Sequence, residues 1–135
     1  MKLEIKMCIK TILSIVFLVF STQHVFSQKK PLGNAQLRHV VLFKFNETSS
    51  ADDVQHIEKA FGALPQKIKE IKGYEWGINN SPENIAQGFT HCFFLTFDSE
   101  ADRDIYLPHP DHKAFGTLLG PHVEKVLVLD YWVKN

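Results

Sequence analysis

Cysteine is almost missing from this chain, which holds only Cys8 and Cys92 in 135 residues. A disulfide framework needs several pairs, so a network of bridges is excluded and stability must come from a hydrophobic core. An excess of one charge is missing too, with Lys+Arg and Asp+Glu both at 15. That balance leaves no electrostatic footprint for nucleic acid or an anionic membrane surface, and neither is expected as a partner. Long apolar runs are also scarce. The run from Thr11 to Phe20 has ten residues, where a membrane span needs about 20, so a stable membrane anchor is not expected. No glycine pattern of the phosphate- or dinucleotide-binding kind occurs, and Gln87-Gly88-Phe89 is too short to count as one.

What is present at the start resembles a secretory leader. Lys2, Lys6 and Lys10 precede or open the short apolar run, and Ser21 to Ser27 gives it a polar end. Val25 and Ser27 suit the positions that signal peptidase inspects, so residues 1–27 are expected to be a cleaved signal peptide and the product to be exported, to a periplasm or the exterior. Cys8 precedes the run and cannot carry the lipid of a lipoprotein. The leader holds three of the 15 basic and one of the 15 acidic residues, so the remainder carries 12 and 14, a formal charge of −2. Residues 28–36, with Lys29, Lys30, Pro31, Gly33 and Asn34, show no periodicity and read as a flexible tether. One domain follows over residues 37–135, long enough for one core, to which eight of the chain's eleven phenylalanines can contribute.

Leu37 to Phe45 alternates His39, Val41, Phe43 and Phe45 with Arg38, Val40, Leu42 and Lys44, the period of a strand covered on both faces. Ser50, Asp52 and Asp53 then make a helix start, and Val54, Ile57, Phe61 and Leu64 recur at helical spacing. Pro65 should end or kink that helix near Leu64. Tyr74, Trp76 and Ile78 alternate in a second, more exposed strand, and Asn79 to Gly88 is a loop. Phe89 to Asp98 sets Phe89, His91, Phe93, Leu95 and Phe97 on one face and Cys92 on the other. Ser99 with Asp102 starts another helix, which Pro108 and Pro110 stop, and Pro110 opens a last one. Glu124 to Val133 gives a fourth strand, apolar on both faces.

Strand, helix, strand, strand, helix, strand is the split βαβ arrangement, a ferredoxin-like α+β unit with an antiparallel four-stranded sheet and helices on one face. The second apolar face then needs a cover. An identical sheet supplies one, so a homodimer through the sheet, a dimeric α/β barrel, is expected.

The residues able to carry chemistry concentrate between Gly88 and Phe115. His112, delivered from a helix start, and Tyr106 are expected to face one apolar cavity, with His39 and His91 at its edge and Val41, Phe43, Phe61, Phe93 and Phe115 around it. A neutral imidazole could take a proton alpha to a carbonyl while a phenol donates to the developing oxyanion. The same residues could equally cap helices and hydrogen-bond the His109-Pro110-Asp111-His112 turn. Metal ligation is the third possibility for His39, His91, His109 and His112, but their spacing matches no metal signature and none is expected. Cys92 reads as a small core residue.

With these elements placed, the chain resembles the Dabb family, the stress-response A/B barrel domains, over Leu37 to Tyr131. The stretches that carry the likeness are LRHVVLFKF, ALPQKI, QGFTHCFFLTFDSEADRDIYLPHPDHKAF and EKVLVLDY. The resemblance implies a small ferredoxin-like unit that pairs into a dimeric barrel. Many members have no assigned activity, while one is a polyketide cyclase that works without cofactor. By that likeness His112 falls on the base and Tyr106 on the assisting phenol, with His39 and His91 as lining histidines. Val123 stands where that cyclase has a tryptophan, so the pocket's shape does not carry over. Two functions stay open: an exported dimer binding a small apolar or aromatic molecule, or a cofactor-free acid–base enzyme of the cyclase or lyase type.

Overall fold

The computed structural model describes residues 35–134. The expected signal peptide, and the expected tether up to residue 34, lie outside the described residues. Four strands form one sheet: β1 Leu37–Phe45, β2 Gly73–Ile78, β3 His91–Phe97 and β4 Val123–Trp132. Their spatial order is β2-β3-β1-β4, and each neighbouring pair is antiparallel. Helices α1 Ala51–Gly62, α2 Leu64–Lys67, α3 Glu100–Tyr106 and α4 Pro110–Leu119 fill the two crossovers, and a 3₁₀ turn, Gly120–His122, leads into β4. This is the ferredoxin-like α+β unit. Among the described residues no helix is long and apolar enough to cross a membrane.

Local chemistry sets the helix ends. The Ser50 hydroxyl accepts from the Asp53 backbone N–H at 3.2 Å, while the Ser50 backbone N–H donates to Asp53 Oδ2 at 2.9 Å, a reciprocal cap for α1. The Ser50 hydroxyl also donates to Asp53 Oδ2 at 2.6 Å, and that bond first, then the Ser50 backbone N–H, holds the Asp53 carboxyl below its ordinary range. The stop expected near Leu64 is present at Ala63. The first helix has already closed at Gly62, and Pro65 sits in the opening turn of the separate short α2. Proline lacks the N–H that a first turn leaves unpaired, so it is tolerated there. Ser99 caps α3 by accepting from Asp102 N–H at 3.1 Å.

Strand parity divides the core. Cross-strand partners share a face, so His39, Val41 and Phe43 of β1 lie with Leu95, Phe93 and His91 of β3 and with Asp130, Val128 and Val126 of β4 under the helices. Phe43, Phe61, Phe93 and Phe97 are at most 2 % exposed. Phe61 of α1 meets Phe93 edge to face at 4.3 Å between centroids and Phe115 of α4 at 4.8 Å. Each such fully buried ring contributes roughly 1.5–3 kcal/mol, and together they lock both crossovers onto the sheet. The opposite face carries Val40, Leu42, Cys92, Phe94, Leu127, Leu129 and Tyr131, with Leu129 51 % exposed.

Candidate functional site

At the β4 side of the helix-covered face, a cavity of about 180 Å³ opens between sheet, α3 and α4. Its wall includes His39, Val41, Phe43, Phe61, Tyr106, His112 and Phe115, joined by Val126 and Val128 of β4. Seven of the nine expected site residues therefore come together. His91 and Phe93 are not in this wall. Their face is right but their strand is wrong: the cavity lies over β1 and β4, and β3 is on the other side of β1, so the cross-strand partners Phe43 and Val41 reach the wall while His91 and Phe93 do not.

Tyr106 ends α3 and is fully buried. Its ring lies 4.3 Å from that of His112, 5.6 Å from His39 and 5.2 Å from Phe97, centroid to centroid. Burial, helped by the nearby Asp130 charge, pushes the phenol's pKa far up, so it stays a proton donor throughout the neutral range. His112 stands in the first turn of α4, and its Nδ1 lies 2.9 Å from the Leu107 carbonyl oxygen. A carbonyl only accepts, so Nδ1 carries hydrogen and a neutral His112 keeps its lone pair on Nε2. The loop Leu107 to His109, stiffened by Pro108 and Pro110, thus fixes the tautomer.

His39 is treated the same way by a different partner. Its Nδ1 lies 2.7 Å from Asp130 Oδ1, and Asp130 Oδ2 accepts from Arg103 Nη1 at 3.2 Å. Two effects oppose each other at this ring. Burial disfavours the imidazolium, the Asp130 carboxylate favours it, and burial prevails, leaving the pKa below the ordinary value of 6.5. The ring is therefore neutral at pH 7, with Nδ1–H donating to Asp130 and the lone pair on Nε2. Asp130 and Arg103 had no assigned part in the sequence reasoning. The available signal was a lone carboxylate interrupting the apolar run Val126 to Trp132.

His109 does not join the cavity. It caps α4, its Nδ1 accepting from Asp111 N–H at 3.2 Å, and Asp111 also pairs with Lys67 Nζ at 3.3 Å. Among the described residues no group of three or more His, Cys, Asp or Glu is placed to hold a metal ion. Cys92 lies partly buried on the face away from the helices, and burial raises its thiol pKa.

Fold and cavity together define a ferredoxin-like domain with a histidine- and tyrosine-lined pocket between its sheet and helices. The family model of the stress responsive A/B barrel domain matches residues 37–133, and the chain belongs to that family. Among characterised relatives it is 36 % identical over 95 residues to the stress-response A/B barrel domain-containing protein HS1 of Arabidopsis thaliana, covering 70 % of this chain and 87 % of that one. It is 28 % identical over 95 residues to olivetolic acid cyclase of Cannabis sativa, covering 70 % and 94 %. Among solved structures, the hydroxynitrile lyase of Passiflora edulis superposes with a TM-score of 0.72 at 30 % identity, over 76 % of this chain and 96 % of that one. A dimeric ferredoxin-like protein from Bacteroides fragilis superposes with a TM-score of 0.60 at 28 % identity, over 73 % and 96 %.

Proposed function

We propose that this protein is an acid–base enzyme that needs no cofactor and acts on a small, largely apolar carbonyl compound. The observation that carries the reading is the packing of the Tyr106 phenol 4.3 Å from an imidazole whose tautomer the Leu107 carbonyl fixes, inside an apolar cavity. His112 Nε2 takes a proton alpha to the substrate carbonyl, and Tyr106 donates to the oxygen on which charge develops. His39, held by Asp130, supplies a second neutral imidazole for orienting or returning the proton. A cavity of about 180 Å³ admits only a compact substrate. The likeness to a cyclase and a lyase supports acid–base catalysis without fixing the substrate.

The test is turnover on a panel of small polyketide-like and cyanohydrin substrates. His112→Ala should cost about 10²- to 10⁴-fold in kcat with the fold intact, as loss of a general base does. Tyr106→Phe should cost less, roughly 10²-fold, since one donor to the oxyanion is removed while the ring remains. If His112→Ala instead lowers the melting temperature strongly and leaves ligand affinity unchanged, His112 is a structural cap and the protein is a binding module.

The working form in this proposal is an exported homodimer. Leu127, Leu129 and Tyr131, each 41–51 % exposed beside Val40 and Phe94, present an apolar sheet face that a second copy would cover. The dimeric relative from Bacteroides fragilis supports that assembly. Export rests on the basic leader and short apolar run at residues 1–20. N-terminal sequencing of the native protein should begin at Gln28, and an intact terminus would remove the signal-peptide reading.

A further inference from the structure

The histidine left outside the cavity has partners of its own. His91 is 7 % exposed and sits at the start of β3, with Phe45 edge-on at 4.9 Å and Trp76 stacked at 6.3 Å. Its Nε2 lies 3.0 Å from Glu58 Oε1 of α1, and its Nδ1 lies 2.8 Å from the Thr90 hydroxyl. The directions of these bonds follow from the groups. An ionised carboxylate only accepts, so Nε2 carries the hydrogen. The Nδ1 of the neutral ring is then an acceptor, and the Thr90 hydroxyl donates to it. Carboxylate, imidazole and hydroxyl are thus linked in the order that activates an oxygen nucleophile, the carboxylate fixing the tautomer and the imidazole taking the proton.

The Thr90 hydroxyl is not sealed in the core. Thr90 is exposed and lines a second cavity, about 280 Å³, separate from the one holding Tyr106 and His112. Leu42, Ile78, Ala86 and Phe89 make that cavity's apolar wall, and Asn79 is its neutral amide. The Asn79 backbone N–H donates to the Thr90 carbonyl at 2.7 Å, which ties the two residues together. Asn79 Oδ1 accepts from Ser81 N–H at 3.0 Å, so the amide's donor end, Nδ2, is the one left for a ligand. An amide donor in the same cavity as an activated hydroxyl is the kind of group that stabilises the oxyanion of acyl transfer.

We propose that Glu58, His91 and Thr90 form a second, acyl-transfer centre that takes small apolar carboxylic esters. Thr90 Oγ attacks the ester carbonyl and passes its proton to His91 Nδ1 as the Oγ–C bond forms. The ester C–O bond then breaks, and the departing alcohol oxygen takes that proton from Nδ1. Water attacks the acyl-threonine next, again giving a proton to Nδ1. The Oγ–C bond breaks, the carboxylic acid leaves, and the Thr90 hydroxyl recovers its proton. Ester and water give acid and alcohol, with no other reactant. Glu58 is a positioning residue, since it touches only the imidazole. The centre shares no residue with the proposed carbonyl chemistry, so either can fail without the other.

The probe is p-nitrophenyl acetate with the purified full chain. Wild type should release p-nitrophenolate with a burst and, after acid quench, carry one acetyl group that peptide mapping places on Thr90. Thr90→Val, nearly isosteric, should abolish both, while Thr90→Ser, which keeps a hydroxyl, should restore them. Glu58→Gln should slow acylation by more than tenfold and move its pH profile, which a merely structural carboxylate would not do. Asn79→Ala should cost about 10²-fold, as removal of an oxyanion donor does. An acetyl group found on another side chain, release unchanged in Thr90→Val, or no acylation of the folded wild type would each overturn the proposal.

Discussion

Replacing Asp130 tests whether the cavity holds its second imidazole neutral. In the wild type, Asp130 Oδ1 accepts from His39 Nδ1 at 2.7 Å, and Oδ2 accepts from Arg103 at 3.2 Å. Asp130→Ala leaves a donor unsatisfied on a ring that is only 4 % exposed, which costs about 1–3 kcal/mol. Arg103 retains Asp104 at 3.3 Å, and loss of one partly exposed ion pair adds no more than about 1 kcal/mol. The expected destabilisation is therefore about 2–3 kcal/mol, a drop of roughly 10–20 °C in Tm for a domain of this size. Asp130→Asn can turn its amide oxygen to the same N–H and should cost under about 1 kcal/mol, because only the charge is removed.

The pH dependence carries the sharper test, because the folded pKa of His39 lies below its ordinary 6.5. Such a group binds fewer protons folded than unfolded, so stability is full above pH 6.5 and falls as the pH drops through 6.5 toward the folded pKa. Urea unfolding at several pH values between 7 and 5, comparing wild type with His39→Asn, isolates this ring from the other histidines. Wild type should lose stability relative to His39→Asn as the solution is acidified. Asp130→Ala should lose more, since the carboxylate's upward pull on His39 is gone. If wild type gains relative to His39→Asn on acidification, the pair is an imidazolium–carboxylate bridge, and the argument that burial prevails is wrong.

Leu129→Glu places a charge in the apolar outer sheet face and should convert the proposed dimer to monomer in light scattering at micromolar concentration; an unchanged mass would move the interface elsewhere. Ser50→Ala removes one half of the α1 cap and should cost about 1 kcal/mol by urea unfolding; a change below a few tenths would show the cap idle. Phe61→Ala empties the contact among Phe43, Phe93 and Phe115 and should cost about 3–5 kcal/mol, with near-wild-type stability refuting the picture of one close-packed aromatic core.

The strands, the caps at Ser50 and Ser99, and the order of elements were legible because each depends on residues close in the chain. Alternation shows which side chains share a face, and a short polar side chain ahead of a helix satisfies its first amides wherever the rest of the protein lies. The cluster of Tyr106 and His112 was legible for the same reason, since only five residues, two of them prolines, separate them. Pro65 marked the break near Leu64, but a proline that ends one helix and a proline that opens the next leave the same local signature, so the separate short α2 was not legible. Asp130, Arg103 and Glu58 were not legible as site residues, since each acquires its role from a partner at least 27 residues away.

His39 and His91 show most directly what only the tertiary structure could decide. Both open an apolar strand face, and alternation put both under the helices. Parity within a strand is local, so the sequence determined the face. Which side of that face a strand occupies is set by strand order, and that order exists only once β1 has paired with β3 and β4. That pairing set His39 against Asp130 and His91 against Phe43, giving one imidazole to Tyr106 and the other to Glu58 and Thr90.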